Sequence, residues 1–172
     1  RTFVREWGPF GMLVLTIAMA IGASAASTGG GFKGMRMGIV FRGLVTDVKK
    51  LLSPERAVVT GHYHHIHDNT ITDGVVRSAA VIIVLYVLIY MVGAVVGVAY
   101  GYPFTDALFE SVSAGSNTGL SCGITQATMP TLLKIVYIAE MWMGRLEFMS
   151  VFAMVGFIAT SFRSMHGRKA AA

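Results

Sequence analysis

Charged residues are scarce in this chain. Asp, Glu, Lys and Arg together make up 13% of 172 residues, against about a quarter in an ordinary soluble domain, and a water-soluble globule is a poor match. Cysteine occurs once, at Cys122, which excludes an internal disulfide and any cysteine-based zinc cluster. Acidic residues are fewer than basic ones, giving a formal charge of +5 and a pI near 9.6. Nucleic-acid binding would require those cations to interleave with aromatics on one face. They sit instead in short polar segments beside oily runs, so no nucleic-acid partner is expected. An initiator Met is missing, and the first apolar run has no convincing cleavage site, so no signal peptide is evident and the chain reads as a piece of something longer. What is plentiful is hydrophobic: 54% of residues, with a mean hydropathy of +0.64. This is the composition of a membrane protein.

Three apolar stretches stand out against a hydrocarbon core of roughly 30 Å, which takes about 20 helical residues to cross. Residues 79–102, AAVIIVLYVLIYMVGAVVGVAYGY, carry no charge and predict a transmembrane helix. Residues 131–162 exceed one span and include Lys134, Glu140, Arg145 and Glu147, so this helix should tilt, break or project beyond the bilayer. Residues 8–22 are too short alone and need the small-residue run after them to complete a crossing. Seven Lys or Arg residues lie between Lys33 and Arg77, three more follow Phe162, and residues 103–130 hold none. The positive-inside rule puts the long linker and the tail in the cytoplasm and the 103–130 connection outside.

That outer connection is too apolar for a plain loop and too short for two more spans, which predicts a re-entrant segment. Pro103 cannot continue a helix, Thr105 or Asp106 can cap a new one, and Ala107, Leu108, Phe109, Val112 and Ser113 fill about two turns of it. Small residues from Gly115 to Gly119 then let the backbone leave helical geometry. Non-helical backbone at membrane depth survives only where protein buries it or water lines it, and exposed carbonyls beyond the negative end of a short helix suit a dehydrated cation. An amphipathic helix lying on the outer surface is the competing reading.

A transmembrane helix, then TDALFESVSAGSNTGLS and GIT, then a long helix containing MWMGRLE, resembles the final repeat of the Trk/Ktr/HKT superfamily of potassium transporters. In that family four helix, pore-helix, helix repeats surround one pore. The resemblance implies that NTGLS is the fourth filter strand, with the carbonyls of Asn117, Thr118, Gly119 and Leu120 facing potassium. It implies a glycine at position 119 that favours potassium over sodium. It also implies a role for GASAASTGGGFKGMR, which is similar to the family's Gly/Ser/Ala loop interrupting a helix beneath the filter. The gate would comprise Ala26, Ser27, Thr28, Gly29, Gly30, Gly31 and Lys33, held closed by Arg145 of GRLE. Small side chains let such a loop occupy a narrow pore, and glycines permit its movement. A phosphate-binding loop lacks support, because no hydroxyl residue follows Lys33 and no strand precedes it. A small-residue helix-packing face remains open. For Arg145, a charge inside an apolar stretch needs a partner; Glu147, Glu140 or a lipid headgroup competes with the gate loop.

The expected organisation is an all-α membrane protein with a re-entrant filter loop and a broken gate helix. Residues 1–31 form a transmembrane helix with the gate loop, ending a third repeat, and 32–77 a cytoplasmic linker. Residues 78–163 are the fourth repeat: helix 78–102, pore helix 103–115, filter 116–122, helix 131–163. Residues 164–172 are a cytoplasmic tail. The implied function is potassium uptake across the cell membrane with no cofactor, potassium being cargo. The implied partners are the upstream repeats of the same protein, a second copy in a homodimer, and a cytosolic nucleotide-binding regulatory subunit. A non-conducting scaffold or assembly subunit is the alternative. GHYHHIHD, residues 61–68, could offer His62 with His64 or His65 with His67 to a metal, but no rigid framework is readable; a solvated linker is expected there. Cys122 is read as a small packing residue and a convenient reporter for thiol reagents. No nucleophile, base and orienter combination appears, and no enzyme is expected.

Overall fold

The computed structural model describes residues 7–22, 29–52, 62–65, 67–70 and 73–169. Among these residues five helices carry the fold: α1 (Gly8–Ile21), α2 (Gly34–Leu52), α3 (Asp73–Ala99), α4 (Phe104–Ser116) and α5 (Thr131–Lys169). Between α2 and α3 a short antiparallel ribbon pairs β1 (His62–His65) with β2 (His67–Thr70), with His65 opposite His67 and His62 opposite Thr70. The stretch expected as linker thus contains a 19-residue helix and a histidine-rich ribbon. In α2 cations alternate with apolar residues, and a reading weighted by charge passed over a helix that buries Ile39 and sets Gly43 against Val76.

Helix α3 is, among the described residues, the one long and apolar enough to cross a membrane. Its 27 residues extend about 40 Å at 1.5 Å per residue. Val84, Leu88, Val92 and Val95 on its outer side are each more than half exposed or nearly so, as expected of a surface meeting lipid or further helices rather than water. Its C-terminus closes on Gly97, whose carbonyl accepts from the amides of Tyr100 and Tyr102, while Gly101 takes a positive φ. That reversal launches α4.

Helix α4 is short, 13 residues, or about 20 Å, and is the most enclosed element. Ala107 and every residue from Phe109 to Ser116 are buried, packed between α1, α3 and α5. Thr105 and Asp106 do not cap it as expected. The helix opens instead on the carbonyl of Pro103, which accepts from the Ala107 amide at 2.9 Å; the fixed φ of proline already aims the chain into the first turn. Two apolar clusters hold α4 in place. Met19, Ile82, Tyr86 and Tyr90 enclose Phe109 and Val112, while Ile124, Met129, Leu133 and Tyr137 enclose Ala107 and Ala114. The protein is an all-α membrane protein with the 13-residue, polar-ended helix α4 at the centre of its described residues.

Candidate functional site

Helix α4 ends at Asn117, which takes the left-handed conformation (φ 57°, ψ 34°). Two bonds finish the helix: Asn117 N–H donates to Ala114 O and Thr118 N–H to Ser113 O, both at 3.1 Å. The Asn117 side-chain amide reaches Met141 O on α5 at 3.3 Å, and the Ser116 and Thr118 hydroxyls meet at 2.6 Å. The chain then runs extended and non-helical through Leu120, with Gly119 at φ 81°. Across Asn117, Thr118, Gly119 and Leu120 the peptide oxygens receive no hydrogen bond from the described residues. Asn117, Thr118 and Gly119 are exposed and Leu120 half-buried, so these four unengaged oxygens, on a segment anchored at both ends, form a row of available ligands. A cavity of about 250 Å³ lies against them, lined in part by Ser113, Asn117, Gly119 and Leu120.

The far end of that row is held by a residue that the sequence reading passed over. Glu110, 3% exposed, projects from the middle of α4 into the turn formed by residues 121–125. Its Oε1 accepts from the amides of Gly123 (3.2 Å), Ile124 (3.1 Å) and Thr125 (3.4 Å) and from the Ser121 hydroxyl. Its Oε2 accepts from the Thr125 hydroxyl at 2.7 Å. Successive amides curled around an anion make a nest, and here the anion is a side chain of the same protein. Bonds of this charge-assisted kind contribute about 1.5–3 kcal/mol each. Cys122 lies within the turn, its Sγ 3.5 Å from Glu110 Oε1. Burial, then the nearby Glu110 and Asp106 carboxylates, push its thiol up from 9.0 to about 12, which makes it a poor target for thiolate-seeking reagents at neutral pH. The only hint of Glu110 in the sequence is a lone acid among small and apolar residues.

Against the end of α4 the two described ends of the glycine-rich stretch meet. Gly22 stops α1 with φ 69°, ψ −154°, and Phe32 N–H returns to Ala20 O at 2.9 Å, so the two ends of the stretch lie side by side. Gly30 N–H donates to Ser116 O at 3.0 Å. A Cβ at Gly30 or at Gly144 would strike the carbonyl of Gly115; three helix-breaking or small residues are what allow this stretch, α4 and α5 to meet backbone to backbone. Phe32 packs on Tyr86 and Tyr90 of α3 with ring centroids 6.0 Å away in each case. Lys33 is 8% exposed, has φ 62°, and its carbonyl starts α2 by accepting from Arg36 and Met37. Among the expected gate residues, Gly29, Gly30, Gly31 and Lys33 are therefore at this junction, while Ala26, Ser27 and Thr28 lie outside the described residues. Arg145 is exposed on α5, directly after Gly144. Glu140, weighed above as its partner, is engaged by Ser111 at 3.0 Å instead.

A family model described as TrkH, cation transport protein, matches residues 4–161, nearly the whole chain. The chain belongs to the TrkH family of cation transport proteins. An uncharacterized cation transporter of Methanocaldococcus jannaschii is 33% identical over 140 residues, 81% of this chain and 29% of that protein. A second uncharacterized cation transporter, from Mycoplasma genitalium, is 30% identical over 66% of this chain and 19% of its own length. The Trk system potassium uptake protein TrkH of Salmonella typhimurium is 25% identical over 84% of this chain and 30% of its own length. The chain thus spans less than a third of the length of these relatives. The family is one of transporters, not enzymes.

Proposed function

We propose that this chain supplies the last quarter of a potassium-conducting pore. Residues 117–120 form one filter strand of a re-entrant segment whose descending limb is α4. The row of unengaged carbonyls at Asn117, Thr118, Gly119 and Leu120 carries this reading. Such oxygens can replace the hydration shell of an alkali cation, and α4, at about 20 Å, is too short to span a hydrocarbon core. Potassium is the cargo, a choice supported by relatives named as Trk system potassium uptake proteins.

One strand cannot encircle an ion, so conduction requires the remaining strands from further repeats of the same protein. The glycine-rich stretch from Ala26 to Gly31, with Lys33, is the movable gate under the filter, and Arg145 steadies its closed form. In this reading the protein is multi-pass, the 32–77 segment and the C-terminus are cytoplasmic, and the complete transporter works as a homodimer with a cytosolic nucleotide-binding regulatory subunit.

The test is made in the complete transporter, by measuring potassium-limited growth and rubidium and sodium uptake. A Cβ at Gly119 would meet no atom within 4 Å, but φ is 81° there, so Gly119→Ala strains the strand by about 1 kcal/mol or more without a clash. The expected result is a several-fold loss of potassium over sodium preference. In parallel, Arg145→Ala should raise the resting uptake rate. Unchanged selectivity together with unchanged uptake would sink the pore reading in favour of a non-conducting scaffold.

A further inference from the structure

Where α3, α4 and α5 converge, a second carboxyl group is buried that has no part in the turn held by Glu110. Glu140 of α5 is 2% exposed. Its Oε1 lies 3.0 Å from Ser111 Oγ on α4, and its Oε2 meets no hydrogen-bond partner. Ser111 Oγ also lies 2.9 Å from the carbonyl oxygen of Tyr90 on α3. A Cβ at Gly93 would land on both the Glu140 carboxyl and the Ser111 hydroxyl, so the absence of a side chain there lets three helices share one point.

Counting protons decides the state of this group. A serine hydroxyl carries one proton and a peptide carbonyl carries none. Were Glu140 a carboxylate, Ser111 would face two acceptors with a single proton, and one of the two contacts would be a bare approach of oxygen to oxygen. A proton on Glu140 Oε1 removes the conflict: Oε1–H donates to Ser111 Oγ, whose own O–H donates to Tyr90 O.

The surroundings agree with that count. The titratable groups near Glu140 are phenols, Tyr90 with its neighbour Tyr86 from α3 and Tyr137 one turn earlier on α5. From α4 the nearest acid is Glu110, already enclosed by the amides of residues 123–125. Arg145 is on the exposed side of α5, and no cation among the described residues pairs with Glu140. A bare carboxylate buried without a counter-charge is among the most costly groups a membrane protein can hold.

We propose that Glu140 is a neutral carboxylic acid with a resident proton, and that the relay Glu140 to Ser111 to Tyr90 O fastens the rear of α4 to α3 and α5 without setting a charge behind the carbonyl row. Glu110 holds one side of the helix and Glu140 the other. The positioning half of this statement rests on the pore reading, and the protonation half does not.

Infrared spectroscopy of the protein in lipid nanodiscs at neutral pH reads the proton directly. The expected spectrum has a protonated-carboxyl C=O band that moves on deuteration, disappears in Glu140→Gln and shifts to higher frequency in Ser111→Ala. Lack of a band removed by Glu140→Gln overturns the resident proton, and a band unmoved in Ser111→Ala overturns the relay. Should Glu140→Gln not fold, the Ser111→Ala shift decides alone, because only the acid touching Ser111 can respond to it. For positioning, Glu140→Gln keeps a donor toward Ser111 and Glu140→Leu does not. In the complete transporter the Gln variant should keep its cation selectivity and the Leu variant lose it several-fold; equal selectivity in the two overturns the positioning role. If Gly119→Ala leaves selectivity unaltered while the infrared band behaves as expected, the pore reading fails and the resident proton stands.

Discussion

The amide of Gly30 donates to the carbonyl of Ser116 across 3.0 Å, tying the end of the glycine-rich stretch to the last turn of α4. Gly144 of α5 approaches the same turn, beside Gly30. The strand of free carbonyls therefore begins one residue beyond a junction shared by three backbone segments.

Gly144→Ala tests how tight that junction is. The added methyl would fall on Gly115 O and lie 3.0 Å from the Asn117 side-chain amide, leaving α5 no room unless the end of α4 moves. Overpacking of this kind costs about 1–3 kcal/mol. The expected outcome is a lowered Tm in lipid together with reduced potassium uptake. Gly156→Ala, on the same helix but with nothing within 4 Å of its Cβ, should change neither.

Glu110 gives a graded pair of variants. Glu110→Gln retains an oxygen for the amides of residues 123–125 and a polar group for the Thr125 hydroxyl, so the protein should fold with a modest loss of thermal stability. Glu110→Ala strands the buried amide of Ile124, costing about 1–3 kcal/mol for that group alone. Thermal melts should rank wild type above Gln and Gln well above Ala, with cation selectivity following the same order. Equal melts for Gln and Ala would show that the turn holds itself.

Cys122 offers a pH-resolved readout of the same turn. With its thiol held up to about 12 by burial and by Glu110 and Asp106, the reactive thiolate is a minute fraction at neutral pH. Modification by a thiolate-seeking reagent should be slow at pH 7 and accelerate about tenfold per pH unit through pH 10, where an ordinary cysteine would already have levelled off. Glu110→Gln removes a neighbouring negative charge, lowers the barrier to ionisation and should speed labelling at fixed pH. Labelling that saturates near pH 9 in the wild-type protein would contradict this.

Much of the architecture was legible because its causes are local in the chain. A charge-free run after Ala79 has few stable options besides a membrane-crossing helix, Pro103 and Gly101 punctuate the chain where they stand, and the glycine cluster after Ile21 breaks a helix through backbone freedom alone. The change of backbone at the end of α4 was legible too, since small residues after a short apolar helix signal it. The cap of α4 was misassigned to Thr105 or Asp106 because the proline carbonyl that starts the helix has no side-chain signature. Helix α2 was overlooked because its cations drew attention away from its apolar positions. Glu110 and Glu140 gave little warning: the partners of the first are mostly peptide N–H groups, present at every position of any chain, and those of the second arrive from two other helices.

Composition and the spacing of apolar, proline and glycine residues thus settle that this is a helical membrane protein, and where its most apolar helix lies. They settle it because burial of apolar surface and backbone stiffness act over a few residues at a time. Which polar groups meet inside was decided only on assembly: that Glu110 is wrapped by the turn after the carbonyl row, that Ser111 stands between Glu140 and Tyr90, and that Gly30, Gly115 and Gly144 touch. A buried hydrogen bond is won or lost over a few tenths of an ångström, and distances of that order exist only after the helices have packed.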